Sequence, residues 1–154
     1  MNGIPNPAYL DAVRGMVKSA SYPHLLGMEL LDLEPDRCVV ALEVAERHLQ
    51  PYGIVHGGVL ASLLDTATFW AAFVRLPQDT GLVNVDLKLN YLEAVPLGSG
   101  RLLTEGRCLR PGRTLSYTEA HVRDSAGRLI AHGTSTVMAL PGRGLPIDLP
   151  KFDE

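Results

Sequence analysis

One apolar stretch, residues 56–74, constrains the fold more than any other part of the chain. Its apolar side chains recur at the spacing of one helix face, at Leu60, Leu63, Leu64, Ala67, Ala71 and Val74. Between Gly57 and Val74 the only ionisable side chain is that of Asp65. Because a helix that is apolar nearly all round packs inside a protein, we expect this one to be buried on most sides. A carboxylate in its middle must then be paired, solvated by a cleft or functional, since burying a bare charge is costly.

Two glycines, Gly57 and Gly58, open the predicted helix. Because they carry no side chain, other atoms can approach their backbone N–H groups closely. These N–H groups have no partner within the helix and lie at its positive end, where they can bind an anion or a developing oxyanion. Asp65 can act as a base or as a nucleophile. Together the two features suit acyl transfer or hydrolysis.

The spacing of the two features limits how they can act together. Gly57 and Asp65 are eight residues apart, which is about 12 Å along the axis of an α-helix. One reacting carbonyl cannot contact both groups at about 3 Å. If both act on the same carbonyl, they must therefore come from different chains. Two such helices packed antiparallel about a two-fold axis would create two equivalent sites in a homodimer.

Segments that are rich in β-forming residues and bounded by turns predict strands. They cover residues 27–34, 37–44, 82–91, 101–109, 114–123 and 128–139. The short links between them indicate antiparallel neighbours. In the third segment, the apolar set Val83, Val85, Leu87, Leu89 and Tyr91 is expected to face one way and the polar residues the other. About six strands and one apolar helix predict an α+β fold in which a curved antiparallel sheet wraps around the helix.

The two ends of the chain add less to this plan. Residues 8–20 fit an extra N-terminal helix, which we expect to be broken at residues 21–24 because of the proline there. Residues 141–154 hold three prolines and no periodicity, so we expect a loosely ordered tail. We find no internal repeat, and we predict a single domain over residues 1–140 followed by a Pro-rich C-terminal tail over residues 141–154.

Composition narrows the range of functions. The chain has 154 residues, of which 46% are apolar and 20% charged, and this suits one folded domain with one core. The net charge of −3 gives no electrostatic reason to expect nucleic-acid binding. Two cysteines, Cys38 and Cys108, do not make a disulfide framework. We therefore expect buried free thiols in a reducing cytosol.

The sequence also carries no targeting signal that we recognise. The N-terminus lacks a basic region followed by an apolar one, so we expect no secretion. The apolar helix is short for a membrane span, begins Gly-Gly and has Asp65 near its centre. We therefore predict a cytoplasmic protein that does not enter a membrane.

The motif Gln50-x5-His56-Gly57-Gly58-x6-Asp65 resembles the signature of hotdog-fold acyl-CoA thioesterases. The resemblance is closest to the PaaI-like branch of phenylacetic acid degradation, which includes one type of 4-hydroxybenzoyl-CoA thioesterase, and it covers residues 22–140. It implies a hotdog fold and hydrolysis of an acyl- or aryl-CoA to the free acid and coenzyme A. It also implies a homodimer or a dimer of dimers, with no cofactor beyond the coenzyme A that is part of the substrate.

The resemblance also implies a role for each matching position. In that family the glycine that matches Gly57 polarises the thioester carbonyl through its N–H. The acid that matches Asp65, from the other subunit, attacks the carbonyl or activates water. In the family a Ser or Thr on the strand after the helix often orients the water, and Asn84 and Thr68 are the candidates for that role here. A Gly-Lys/Arg turn of the family lies near the coenzyme A phosphates, and Gly112-Arg113 matches it. The candidate catalytic residues are thus Gln50, His56, Gly57 and Asp65, and the candidate substrate-binding residues are Gly58, Thr68, Asn84, Arg110, Gly112 and Arg113.

Each of these positions also has a purely structural interpretation. The two glycines could serve only close helix–strand packing, and Asp65 could bond the backbone of a nearby loop. His56 is expected to cap the helix or fix the loop rather than to catalyse. The arginines could form an ordinary solvated turn. Two other functions remain open: a hotdog hydratase or dehydratase acting on acyl thioesters, and a non-catalytic acyl-CoA-binding module.

Motifs for other chemistries are missing from the sequence. It has no Gly-x-Ser-x-Gly nucleophile elbow, no Gly-x-Gly-x-x-Gly and no P-loop. The two cysteines lack metal-ligand spacing. The five histidines, His24, His48, His56, His121 and His132, form no close pair of the zinc type along the chain. The sequence therefore predicts no metal site.

Overall fold

The computed structural model describes residues 3–153, which contain three α-helices. They are α1 (Pro7–Ser19), α2 (Ser21–Leu26) and α3 (Gly57–Ala71). The predicted N-terminal helix and the predicted central helix are both present. The expected break of the N-terminal helix is present, since α1 ends at Ser19 and Ala20 is extended, but residues 21–24 begin a second helix, α2, that we did not expect. Pro23 falls in the first turn of α2, where its missing N–H costs no helical hydrogen bond, and Gly27 ends the helix with a φ of 75°.

Seven strands form one antiparallel sheet. They are β2 (Met28–Glu34), β3 (Arg37–Glu43), β4 (Thr80–Asn84), β5 (Lys88–Tyr91), β6 (Arg101–Arg110), β7 (Leu115–Arg123) and β8 (Leu129–Pro141). The strand order is β2-β3-β6-β7-β8, and both β4 and β5 pair with β8 along its other edge. A separate two-stranded ladder joins β1 (Ile4–Pro5) to β9 (Phe152–Asp153). The α+β architecture predicted from the sequence is confirmed.

The predicted strand over residues 82–91 is in fact two strands, β4 and β5, with a break between them. Asp86 causes the break because it occupies hydrogen-bonding positions on β8 with its side chain. Its Oδ1 accepts from the Thr136 N–H (2.8 Å), and its carbonyl accepts from the Ser135 hydroxyl (2.6 Å). The expected single apolar face is also wrong, since Val83, Val85 and Tyr91 are exposed whereas Leu87 and Leu89 are half-buried. Alternation fails because the break changes the phase of the strand.

Helix α3 packs against the inner face of the sheet, chiefly on β6 and β7. Its buried side chains are Val59, Leu60, Leu63, Leu64, Ala67, Thr68 and Ala71. In the single chain only Gly58 and Asp65 of this helix are exposed, and its remaining residues are buried or half-buried. The helix is therefore covered over most of its surface, as expected, with one open side at Gly58 and Asp65. Cys38 and Cys108 are buried free thiols, as expected.

The segment after β8 is packed against the domain, unlike the loosely ordered tail that we expected. Lys151 is fully buried, and its Nζ donates to the carbonyls of Phe73 and Leu76, both at 2.8 Å. The Gln78 carboxamide bonds Leu149 and the Lys151 backbone. Sequence periodicity misses such a segment because it is held by single polar anchors. In residues 3–153, each helix is too short or too polar to cross a membrane.

Candidate active site

At the start of α3, one backbone N–H group has no hydrogen-bond acceptor among residues 3–153. His56 is the N-cap, and its Nδ1 accepts a hydrogen bond from the Gly58 N–H at 2.7 Å. The Val59 N–H donates to the His56 carbonyl at 2.9 Å. Across residues 3–153, no acceptor lies within bonding distance of the Gly57 N–H. Gly57 is thus the residue that can offer an N–H to a ligand, while the Gly58 N–H serves the cap that we expected of His56.

A buried histidine holds the loop that leads into this helix. His48 is 1% exposed, and its Nδ1 accepts from the Ala45 N–H at 2.9 Å. Its Nε2 therefore carries the proton and donates to the Leu26 carbonyl at 2.7 Å. The His48 carbonyl in turn accepts from the His56 N–H at 2.8 Å. His48 positions the helix start, a role that the sequence pattern does not reveal.

A cavity of about 430 Å³ opens beside Gly57. Gln50 and Tyr91 line it together with Gly57 and Leu60, so the structure brings Gln50 and Gly57 together. The Gln50 side-chain oxygen accepts from the Tyr52 N–H, which fixes the carboxamide in its loop. A methyl group added at Gly57 would lie 2.9 Å from the Tyr91 ring. The sequence indicated Tyr91 only as a strand residue, because its approach to Gly57 depends on how β5 packs beside α3.

Asp65 lies on the open side of α3, where the amide of Asn84 holds it. Asn84 Nδ2 donates to Asp65 Oδ1 at 2.9 Å, and it also lies 3.1 Å from the Asp65 carbonyl oxygen and 3.2 Å from Thr68 Oγ1. Partial desolvation raises the pKa of the Asp65 carboxyl, and the Asn84 hydrogen bond opposes that rise. The carboxyl therefore combines access to solvent with a fixed orientation.

Thr68 belongs to the interior rather than to the open side of the helix. It is fully buried, and its hydroxyl donates to the carbonyls of Leu64 (2.8 Å) and Asp65 (2.9 Å). The same oxygen accepts from Asn84. Of the two candidates for orienting a water, Asn84 contacts the carboxyl directly, whereas Thr68 supports Asn84 from behind.

Asp65 and Gly57 open onto different cavities of the single chain. The carboxyl lines a cavity of about 310 Å³ together with Met16 and Val17 of α1 and Phe69 and Trp70 of α3. Gly57 lines the cavity that contains Gln50. This separation agrees with the roughly 12 Å spacing along the helix. Within one chain, the two groups do not share a site.

The end of β6 and the turn that follows it carry the two candidate phosphate-binding arginines, Arg110 and Arg113. The Gly112 N–H donates to the Ser116 hydroxyl at 3.1 Å, and a methyl group at Gly112 would lie 1.9 Å from the Leu115 carbonyl oxygen. The tight turn thus requires glycine. Arg110 and Arg113 are exposed, and Arg113 lines a cavity of about 560 Å³ beside the C-terminal end of α3.

Two histidines that are apart in the sequence meet on the outer face of the sheet. His121 on β7 pairs in register with His132 on β8, and Glu119 lies beside them. The sequence showed no close histidine pair because it was judged by spacing along the chain, whereas antiparallel pairing brings distant residues together.

Known proteins of the thioesterase class resemble this chain in sequence. Residues 52–131, just over half of the chain, match the family model of the Thioesterase superfamily. Acyl-coenzyme A thioesterase 13 of Homo sapiens is 29% identical over 128 residues, which cover 82% of this chain and 90% of the relative.

Two of the solved structures that resemble this chain are informative here. The E. coli PaaI protein from the phenylacetic acid degradation operon superposes with a TM-score of 0.77 at 20% identity, covering 88% of this chain and 95% of that one. A Streptococcus mutans protein bound to acetyl CoA superposes with a TM-score of 0.67 at 26% identity, covering 75% of this chain and 90% of that one.

The curved antiparallel sheet around α3 is therefore the hotdog fold. The chain belongs to the thioesterase superfamily, and it is a thioester hydrolase.

Proposed function

We propose that this protein hydrolyses acyl-CoA thioesters at a site that two chains build together. Gly57 of one chain polarises the thioester carbonyl, and Asp65 of the other acts on the same carbon. The observation that carries the proposal is that Gly57 and Asp65 offer complementary groups but line different cavities of one chain. Gly57 offers an unused N–H at a helix start, whereas Asp65 offers an oriented carboxyl that opens onto a different cavity.

The Asp65 carboxylate and the Gly57 N–H can catalyse thioester hydrolysis in two ways. With Asp65 as base, water attacks the carbonyl carbon and gives its proton to the carboxylate. The oxygen of the tetrahedral intermediate becomes an anion and accepts a hydrogen bond from the Gly57 N–H. The C–S bond then breaks, and the sulfur leaves as the coenzyme A thiolate. With Asp65 as nucleophile, a mixed anhydride forms first and water cleaves it, with the same products.

Asn84 orients the carboxyl in either version. Its Nδ2 occupies Asp65 Oδ1 at 2.9 Å, so Oδ2 is left for the water or the carbonyl carbon. Gln50 lines the Gly57 cavity, where its carboxamide NH₂ can contact the substrate because its oxygen already serves Tyr52.

The acyl group fits the cavity beside Asp65. Phe69 and Trp70 meet there edge to face at 4.9 Å between ring centroids, and Met16 and Val17 of α1 close the other side. Its lining suits an apolar or aromatic acyl chain. The diphosphate and ribose phosphate of coenzyme A would lie at Arg113, with Arg110 nearby.

Dimerisation accounts for the apolar side chains left on the sheet edge. Val83, Val85 and Tyr91 lie on β4, β5 and the segment between them, and they are 40%, 57% and 56% exposed. An unpaired edge with such side chains is a natural place for a second chain. Pairing there would also bring the open sides of two α3 helices together. The two buried free thiols favour action in the cytoplasm.

Release of free thiol from a panel of aryl-, arylacetyl- and fatty acyl-CoAs tests the function. Asp65→Asn should lower kcat by about 10²-fold or more while the fold stays intact, because the variant loses its base or nucleophile. Asp148→Asn, a matched change at an exposed tail position, should leave kcat unchanged. Turnover of Asp65→Asn near the wild-type rate would refute the role of the carboxyl. A change in enoyl absorbance without thiol release would indicate a hydratase, and binding without turnover a binding module.

A further inference from the structure

The outer face of the sheet, away from α3, carries a cluster of three side chains that thioester hydrolysis does not use. Glu119 and His121 are two residues apart on β7, so they project from the same face. His132 lies on β8 directly opposite His121 in the ladder. All three are half-buried. The pairing of the strands thus fixes the backbones of the three residues relative to one another.

The distances between their polar atoms are those of a ligand set. One ligand atom from each residue lies within 4.8 Å of the other two. The Glu119 carboxylate is 3.2 Å from His132 Nε2, and the two imidazole centroids are 5.1 Å apart. Metal–ligand bonds of about 2.0–2.2 Å in a tetrahedral site separate the donor atoms by roughly 3.3–3.6 Å. Side-chain rotations that bring the three ligand atoms about 1 Å closer together would let all of them bind one ion.

We propose that Glu119, His121 and His132 form a binding site for a divalent transition metal of the zinc class. Two imidazoles and one carboxylate are a ligand set that Zn²⁺ accepts, with water in the remaining position. All three side chains are partly exposed, and His121 also lines a cavity of about 740 Å³, so an ion has a path from solvent. The site would tie β7 to β8 in the middle of the sheet.

A simple ion pair explains only part of the cluster. The Glu119–His132 contact satisfies two of the three side chains, but the His121 ring has no hydrogen-bond partner among residues 3–153. The acid opposite His121 on β6, Glu105, is engaged by the guanidinium groups of Arg37 (3.1 Å) and Arg107 (2.6 Å). Glu105 is therefore not available to His121. A metal ion is the partner that suits two imidazoles facing each other beside a carboxylate.

The arginines around the cavity do not rule out a cation. Arg37 and Arg107 both pair with Glu105, and Arg37 also pairs with Asp32 at 2.6 Å. The carboxylates of Glu105 and Asp32 thus offset the charges of these two arginines. Of the other two arginines that line the cavity, Arg101 pairs with Glu43 at 3.6 Å and Arg123 donates to the Gly127 carbonyl at 3.0 Å. Zn²⁺ would meet one carboxylate and two imidazole rings.

Isothermal titration of the purified, metal-free chain with Zn²⁺ at pH 7.5 tests the proposal. We expect one ion per chain in the wild type, and binding at least tenfold weaker in each of His121→Ala, His132→Ala and Glu119→Gln. His24→Ala removes an exposed histidine on α2 and should bind like the wild type. Retained thioesterase activity in the variants, which lie on the face of the sheet away from α3, verifies that they fold.

A second measurement keeps the test independent of the variants. In the wild type, Zn²⁺ should shift the NMR ring signals of two of the five histidines and leave the other three in place. Absence of saturable Zn²⁺ binding would overturn the proposal, as would binding that survives the His121→Ala, His132→Ala double change. Binding that is lost in the histidine variants but unchanged in Glu119→Gln would contradict the three-ligand site.

Discussion

Asn84 Nδ2 donates a hydrogen bond of 2.9 Å to Asp65 Oδ1, although the first residue ends β4 and the second lies in the middle of α3. This contact orients the carboxyl and links the sheet edge to the helix. It favours the charged form of Asp65, while desolvation favours the neutral form and raises its pKa. The balance between the two sets the pH at which the carboxylate is ready to react.

The hydrogen bond from Asn84 should influence the pH at which Asp65 ionises. Asn84→Ala removes the donor that favours the carboxylate, so the pKa of Asp65 should rise further. Because activity requires the ionised form, the acid limb of the pH profile of kcat/KM should move to higher pH. The ratio of variant to wild-type kcat/KM should therefore be lower at pH 5 than at pH 8. A uniform loss across the pH range would show that Asn84 acts by other means.

The second prediction concerns the arginine turn. Arg113→Ala should raise KM for acyl-CoA roughly tenfold and change kcat little, because a phosphate contact remote from the thioester contributes equally to ground state and transition state. Arg101→Ala, an exposed arginine on β6, serves as the matched control and should leave KM unchanged. Steady-state kinetics at low salt provide the measurement. A KM for Arg113→Ala equal to that of the wild type would count against this placement of the phosphates.

The third prediction concerns the buried amine of the C-terminal segment. Burial lowers the pKa of Lys151 to about 7, whereas the unfolded chain keeps the ordinary value of 10.5. Between these two pH values the unfolded state binds more protons, so the free energy of unfolding rises with pH by up to about 1.4 kcal/mol per pH unit. Below pH 7 both states are protonated, and this dependence disappears.

Lys151→Met removes this dependence while it keeps a long side chain against Phe73. The difference in unfolding free energy between wild type and variant should thus shift in favour of the wild type from pH 7 to pH 9.5. Urea denaturation at several pH values measures it, and the titration of other groups cancels because both proteins share them. A difference that stays constant with pH would mean that Lys151 keeps its charge in the folded chain.

Much of the fold could be predicted from residues whose local pattern and tertiary role agree. The 3.6-residue spacing from Leu60 to Ala71 predicted α3, and the turns of the long hairpins predicted the antiparallel sheet. The break at Asp86 could not be predicted because its side chain competes for sheet hydrogen bonds that depend on β8. The packing of Lys151 was hidden because one buried amine leaves no periodic signal.

The contacts within the candidate site could likewise be predicted only in part from the sequence. The motif singled out Gly57 and Asp65, but the bond from Asn84, the buried position of Thr68 and the contact of Tyr91 with Gly57 depend on distances across the fold. The homo-oligomeric state and the cytoplasmic location remain predictions.

The central claim is that each site combines Gly57 of one chain with Asp65 of another, and subunit complementation tests it most directly. One inactive chain carries Asp65→Asn. The other carries Gly57→Val, whose side chain crowds Tyr91 and blocks access to the N–H. In a mixed dimer one site receives both defects and the other receives neither.

The two variants should be checked for native folding by circular dichroism, and exchange of subunits should be verified by mass spectrometry of differently tagged chains. Thiol release, absent in each variant alone, should return on mixing toward half the wild-type value per mixed dimer. Confirmed exchange with no recovery of activity, or full activity in an isolated monomer of the wild type, would contradict it.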